Sequence, residues 1–371
     1  MIGACLLIAF FSLGTGMLMP FFPLWLDARG LSAAEISMIL AIPAVIRSGG
    51  SPVFSYFGDL FGRRRFIRVI AALNVLLVCL LFVSYDFWPI LALAVVIYAG
   101  AQSLPIQIDG IIIGLVRRKV VRSYGSIKAF GSTAYVGASL LAVPVLSWLG
   151  PDGVLIWYLL TLGCLALAST QISPGLTGRD AGQDGARRAS VWLQPRLVIV
   201  IAAGALVQGT HNGFIAFGAI QMTELGFPNA VIALAIAAGS GSEVLMFAFS
   251  YLLIDRLTPI RWIAVGAVAA LLRWTAMAWV EMPVLMVGLQ LLHALSFGAT
   301  YIGIIGHITA HVEERQIAAA QGMYVTFFGG FAALLTYAMG QIFETWDGMS
   351  FLLPALASAV SLGLLAFRRL L

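Results

Sequence analysis

Three side chains of proton-exchanging or anion-holding type, Glu243, Arg273 and His293, each lie in a stretch otherwise made of apolar residues. An ionisable group at the centre of a lipid bilayer costs about 2.5–3.5 kcal/mol on insertion scales, so each needs a partner or a task. A Glu243 that alternates between an apolar and a cationic setting would take up a proton in one and release it in the other. Arg273 keeps its proton, and so serves as counter-ion or as an anchor for a substrate carboxylate. His293 can relay a proton or hydrogen-bond a substrate. The competing reading is a static ion pair that pins the run holding Glu243 to the run holding Arg273. The chemistry implied is proton coupling rather than bond-making, so no catalytic residue is assigned.

A second set of polar residues surrounds this trio in the sequence. Arg47 sits midway along an apolar run of the first half, roughly where Glu243 sits in the second, and is a candidate contact for an anionic substrate. Gln208 and Asn212 are four apart and share a helix face, with His211 beside them. These three, together with Gln102, Gln290 and Asp109, are candidate substrate-binding residues, although polar side chains also glue membrane helices together. Asp109 and Lys128 read as a pair or a gate. Asp59, Gly62, Arg63 and Arg64 lie in a basic stretch whose plain reading is positive-inside charge anchoring. His307 and His311 have zinc spacing on a helix, but no third ligand accompanies them. No metal and no cofactor is expected.

The elements that must position these residues follow from composition. The chain has 371 residues, of which 61% are hydrophobic and 10% charged. Soluble domains have about 45–50% and about 25%. Mean hydropathy is +1.00, and no stretch is polar enough for a separate soluble domain. Disorder, collagen and disulfide scaffolds are excluded. Cys5, Cys79 and Cys164 fall in apolar runs with no disulfide or metal spacing. What remains is an all-α integral membrane protein, since twelve helices of about 20 residues fill about 240 residues and leave short loops.

Apolar runs fall near 2–26, 36–57, 67–84, 88–115, 124–149 and 154–172, then near 197–222, 230–254, 262–280, 284–310, 317–343 and 349–367. The expected organisation is a six-helix bundle over 1–172, a linker over 173–196 and a second six-helix bundle over 197–371. Residues 2–26 read as a retained first helix rather than a cleaved signal. Glu243, Arg273 and His293 lie about 20, 17 and 14 Å along the axis from the first residues of their runs, close to the middle of a core about 30 Å thick.

Orientation comes from the basic residues. Of 21 Lys and Arg, 17 fall in the even-numbered loops and the C-terminal tail, and only Arg29 falls in an odd loop. Both termini and the linker are therefore expected on the cytoplasmic side. This placement also accounts for the net charge of +5 and the pI of about 9.3 without nucleic acid. Trp25, Trp88, Trp148, Trp279 and Trp346 fall at the expected outer ends, as an aromatic belt would. Gly110 with Gly114, and Gly209 with Gly213, are Gly-x-x-x-Gly pairs that allow close helix approach. Phe54-Ser55-Tyr56 and Phe249-Ser250-Tyr251 occupy equivalent places in the two halves, as a parallel repeat would.

The segment Ser55-Tyr56-Phe57-Gly58-Asp59-Leu60-Phe61-Gly62-Arg63-Arg64 resembles the loop signature of the major facilitator superfamily. Asp59, Gly62, Arg63 and Arg64 match it, and the likeness implies that they gate the inner face, with Lys128; Ser55 and Leu60 replace its first Gly and its Arg. A closer resemblance is to the 3-phenylpropionate permease group, related to lactose permease and the nucleoside–proton symporters. It rests on Pro20 to Leu26, Gly30-Leu31, Arg47, Asp109, Tyr124-Gly125, Lys128, Gly131-Ser132, Gln208 to His211, Glu243, Arg273-Trp274 and His293. Lys128 stands where the related permeases carry Arg, so a bidentate clamp is not expected there.

The resemblance implies a secondary transporter of the bacterial inner membrane, working by alternating access. It implies proton-coupled symport of a small organic solute such as an aromatic carboxylate. A sugar or nucleoside symporter, and an exporter of the same fold, are the alternatives; a non-transporting sensor or scaffold is a remote one. The expected partners are the substrate, protons and the lipid bilayer, with no nucleic acid, in a monomer. No Gly-rich phosphate-binding loop with Lys and Ser or Thr is present, so neither an enzyme nor an ATP-driven pump is expected.

Overall fold

The computed structural model describes the backbone of residues 2–119, 124–172, 194–250, 256–313 and 316–367. The linker up to residue 193, and the side chains of 46–59 with Arg47 and Asp59 among them, lie outside the described residues. Every regular element described is helical. In order they are α1 (Ile2–Ala28), α2 (Ala33–Phe61), α3 (Arg63–Phe82), α4 (Phe87–Arg117), α5 (Tyr124–Leu149), α6 (Asp152–Thr170), α7 (Pro195–Glu224), α8 (Asn229–Ala248), α9 (Pro259–Met277), α10 (Pro283–Gln290), α11 (Thr300–His311), α12 (Ile317–Trp346) and α13 (Leu352–Phe367). A π-helical turn, Ala294–Ala299, joins α10 to α11 within one continuous span, Pro283–His311. A short 3₁₀ turn, Asp347–Phe351, joins α12 to α13. Ten segments among the described residues are long and apolar enough to cross a membrane. With no water in a bilayer core to satisfy backbone groups, helices are the form such segments must take.

The chain divides into two compact units: residues 1–31 with 49–182, and residues 32–48 with 183–371. In the first, α1 packs along α5 and α6. Ala4, Leu7, Ile8, Leu104, Ile108 and Leu165 belong to its buried core. Asn74 of α3 is buried there and donates to the Ile97 carbonyl and to the Tyr158 hydroxyl, each at 3.3 Å. In the second, α7 packs along α12, and Gly209 lets the two backbones meet, since a Cβ there would sit 3.0 Å from the Ala332 nitrogen. The first half of α2 belongs to this unit: the Ala33 N–H donates to Glu344 of α12 at 2.8 Å. Large apolar side chains such as Leu160, Leu167, Val284 and Leu356 point outward and are mostly exposed, which suits lipid rather than water.

Three expectations are corrected here. The basic loop after α2 is a single residue, Gly62, at φ 82°, and Arg63, Arg64 and Arg65 begin α3. A glycine tolerates that left-handed conformation at no steric cost. Cations at a helix N-terminus oppose the helix dipole. Gly110 does not serve a helix–helix approach; a Cβ there would overlap the guanidinium of Arg63, which lies across α4 and is buried. Trp88, Trp148, Trp279 and Trp346 are exposed as a belt requires, but Trp25 is fully buried, drawn in by its N–H donating to Asp152 at 2.8 Å.

Candidate functional site

The second unit gathers Glu243, Arg273 and His293 from three elements. Glu243 projects from α8, Arg273 from α9, and His293 from the residues between α10 and the π-turn. Arg273 is 1% exposed, while the side chains of His293 and Glu243 are 17% and 26% exposed. The three form a line that runs from the interior outward.

The line has a direction that hydrogen-bond chemistry dictates. A guanidinium can only donate. Arg273 Nη1 therefore donates to His293 Nδ1 at 3.0 Å, and the single ring proton of the neutral imidazole must sit on Nε2. That Nε2–H donates to Glu243 Oε2 at 3.1 Å. Arg273 and Glu243 form no direct ion pair among the described residues; histidine stands between them. The static pair considered from the sequence is thus replaced by a bridged one.

Other groups fix Arg273 from behind. Its Nη2 donates to Gln290 Oε1, and Nη1 also reaches Ser296 Oγ at 3.5 Å. Gln290 is fully buried, and its amide donates to the Met286 carbonyl at 3.1 Å. Two rings cover the guanidinium, Trp274 at 4.3 Å and Phe214 at 5.1 Å, and both contacts favour the cation. The Trp274 N–H is itself held by Thr210 Oγ1 at 2.9 Å.

His211 adds a second histidine with the opposite tautomer. Its Nδ1 faces the carbonyls of Val207 and Gln208 at 3.1 and 3.2 Å. Carbonyls only accept, so Nδ1 carries the proton and Nε2 accepts from Ser296 Oγ at 3.0 Å. Its ring lies edge-on to that of His293 at 5.0 Å. Phe297 stacks on His293 at 5.1 Å and 12°, while the Phe297 carbonyl accepts from Gln208 Nε2 at 2.8 Å. Ser296 and Phe297 both lie in the π-turn, a rare conformation that is frequent at functional sites.

Ser296, Phe297, Phe214 and Thr210 were missed from the sequence. Ser296 and Phe297 follow His293 at helical spacing, which was the available signal; the π-turn left none. Asn212 and Gln102, named as substrate contacts, are partly buried and make no side-chain hydrogen bond among the described residues.

In the first unit Asp109 and Lys128 meet at 2.8 Å, about one-third exposed. Arg29 meets Asp152 at 3.1 Å and lies over the rings of Trp25 and Tyr85 at 4.7 and 4.8 Å. The one cation in an odd loop is thereby neutralised in place. His311 Nδ1 approaches the His307 carbonyl at 3.0 Å. No group of three or more metal-ligating side chains is present among the described residues.

Apolar spans around a buried line of ionisable side chains are the build of a multi-pass membrane transporter, not of an enzyme. Residues 3–353 match the profile of the MFS_1 like family, and the chain belongs to it. It is 26% identical over 345 residues to the "Probable 3-phenylpropionic acid transporter" of Escherichia coli (strain K12), covering 89% of this chain and 87% of that one. It is 20% identical over 336 residues to the "Uncharacterized transporter YwbF" of Bacillus subtilis (strain 168), covering 90% and 84%. The crystal structure of the nucleoside transporter NupG matches with a TM-score of 0.84 at 15% identity, over 99% of this chain and 98% of that one. A bacterial homologue of the human lysosomal transporter Spinster matches at 0.73 and 13%, over 100% and 95%. At such identities the two structures speak for the fold.

Proposed function

We propose that this protein is a proton-coupled symporter that carries a small organic acid inward across the bacterial inner membrane by alternating access. The observation that carries this reading is the Arg273–His293–Glu243 line, a carboxylate held at an apolar depth by a hydrogen bond it can give up. Glu243 is the proton carrier, Arg273 the fixed counter-charge and His293 the link. An aromatic carboxylate is the favoured cargo, in keeping with the relative named for 3-phenylpropionic acid. Asn212 and Gln102 suit substrate contact better than Gln208 and Gln290, whose amides are committed to internal bonds. His211, Asp109 and Arg47 complete the proposed binding set. Asp59, Gly62, Arg63, Arg64 and Lys128 are proposed to control closure of the cytoplasmic side.

Twelve crossings are proposed. The 49-residue span Ala319–Phe367 holds both α12 and α13, and α2 supplies a crossing beyond the ten spans. They are read as two six-helix bundles, 1–172 and 197–371, with cytoplasmic termini and linker 173–196, acting as a monomer. The test is the initial rate of labelled 3-phenylpropionate uptake into proteoliposomes with acid outside, corrected for protein-free vesicles. Saturable, protonophore-sensitive uptake is expected. In Glu243→Gln, pH-driven accumulation is lost while exchange across the membrane persists. Accumulation by that variant equal to wild type would remove Glu243 as the coupling group.

A further inference from the structure

We infer that the transported carboxylate docks on the Nε2–H of His293, the donor that Glu243 occupies until it takes up a proton, so that one monoanion and one proton bind together. This rests on the symport reading above and adds to it the charge of the cargo, its contact atom and the stoichiometry.

Arg273, the obvious anchor for an anion, is buried behind His293, with its Nε–H unpartnered. It is 1% exposed, its two terminal nitrogens are committed to His293, Ser296 and Gln290, and aromatic rings cover it. Its charge reaches the exposed end of the line only through His293. Because Nδ1 of that ring accepts from the guanidinium, the ring proton is held on Nε2, pointing at Glu243. Hydrogen bonds to an ionised acceptor are about twice as strong as neutral ones, so this donor favours a carboxylate.

Charge balance makes the two carboxylates exclusive. With Glu243 ionised, the line is neutral: one guanidinium, one carboxylate and a neutral imidazole between them. Among the described residues, the charged and titratable groups seen in contact along the line are His293 beside Glu243, Arg273 behind His293, and His211 of α7 against His293. The His211 nitrogens are both used by Val207, Gln208 and Ser296. When Glu243 binds a proton the line carries one uncompensated positive charge in an apolar setting, and a substrate anion restores neutrality at the vacated N–H. The proton stays on Glu243 and no covalent bond changes. The Phe297 ring stacked on His293 offers an apolar wall to a ring on the cargo. The loaded carrier thus has the same net charge as the empty, deprotonated one.

The experiment uses the full chain in proteoliposomes with labelled 3-phenylpropionate, unlabelled 3-phenylpropanamide as neutral competitor, and labelled uridine, all corrected for protein-free vesicles. Wild-type exchange of 3-phenylpropionate should fall with rising pH, approaching about tenfold per unit once Glu243 is ionised. Glu243→Gln, whose neutral amide holds the donor more weakly than a substrate carboxylate would and does not titrate, should exchange at a rate independent of pH. His293→Phe should abolish exchange, and His293→Gln, which keeps an amide donor, should recover part of it. A potassium-diffusion potential without a pH gradient should drive no uptake, and excess amide should not compete. Wild-type pH dependence in Glu243→Gln, competition by the amide equal to that of the acid, or uptake driven by potential alone would overturn the inference. Protonophore-sensitive uptake of uridine without 3-phenylpropionate would overturn it and leave proton symport standing. Flux of neither compound would overturn both.

Discussion

Two arginines in this protein are built alike and wired differently. Arg29 in the first unit and Arg273 in the second each lie against two aromatic rings, and each answers to one carboxylate. Arg29 touches its carboxylate directly, on Asp152 at 3.1 Å. Arg273 reaches Glu243 only through the imidazole of His293. A direct pair is closed: neither partner gains by parting. A bridged pair is open at one end, because the carboxylate can leave while the arginine keeps a hydrogen-bonding neighbour. The interposed histidine is what sets the proposed proton site apart from a structural brace.

The comparison breaks most readily at Arg273. Arg273→Gln leaves His293 Nδ1 and Gln290 Oε1 without their donor, at about 1–3 kcal/mol for each buried group left unpaired. Transport should be lost, and the melting temperature in detergent should fall. Arg273→Lys should not restore transport, because a point charge cannot serve His293 and Gln290 with the same fork. Wild-type uptake by the lysine variant would show that charge alone matters.

A smaller effect is expected at Gly110→Ala. The added methyl must displace the Arg63 guanidinium, and overpacking of this kind costs about 1–3 kcal/mol. Lower thermal stability that is partly recovered by Arg63→Ala in the same chain would confirm the contact. Destabilisation that persists unchanged in the double variant would refute it.

The direct pairs should matter least. Exchanging Asp109 and Lys128 for one another should restore the folded yield lost in either single reversal, since both side chains are about one-third exposed. No recovery in the double variant would separate them functionally. Asp152→Asn, which keeps an acceptor oxygen for the Trp25 N–H but removes the charge facing Arg29, should lower stability by about 1 kcal/mol and leave proton-driven uptake intact. A loss of coupling in Asp152→Asn as large as in Glu243→Gln would erase the distinction between the two arginines.

The helical spans were legible because apolar runs of membrane length leave the backbone no alternative. The trio was legible for the same reason, since an ionisable residue in such a run stands out against its neighbours. What joined them was not. Nothing in the spacing shows that His293 intervenes between Arg273 and Glu243, because that depends on how α8, α9 and α10 rotate about their axes. Gln290 was noticed as a polar residue, yet its place behind Arg273 follows from packing. Trp25 was read by its position near a helix end; the acceptor on Asp152, far away in sequence, decided its burial. The basic run at Arg63 was read as a loop because cations suggest solvent, whereas Gly62 alone makes the turn.

The π-turn after His293 has a consequence for how such a site can be inherited. A π-turn lets a helix hold one more residue without unravelling, so Ala294–Ala299 has the form left by a single-codon insertion into an ordinary helix. Deleting one residue there would return the span to a regular winding and rotate Ser296 and Phe297 away from the face that His293 presents. If the proposed site is the transport site, such a deletion should alter substrate preference in the uptake assay while leaving the protein folded in the membrane.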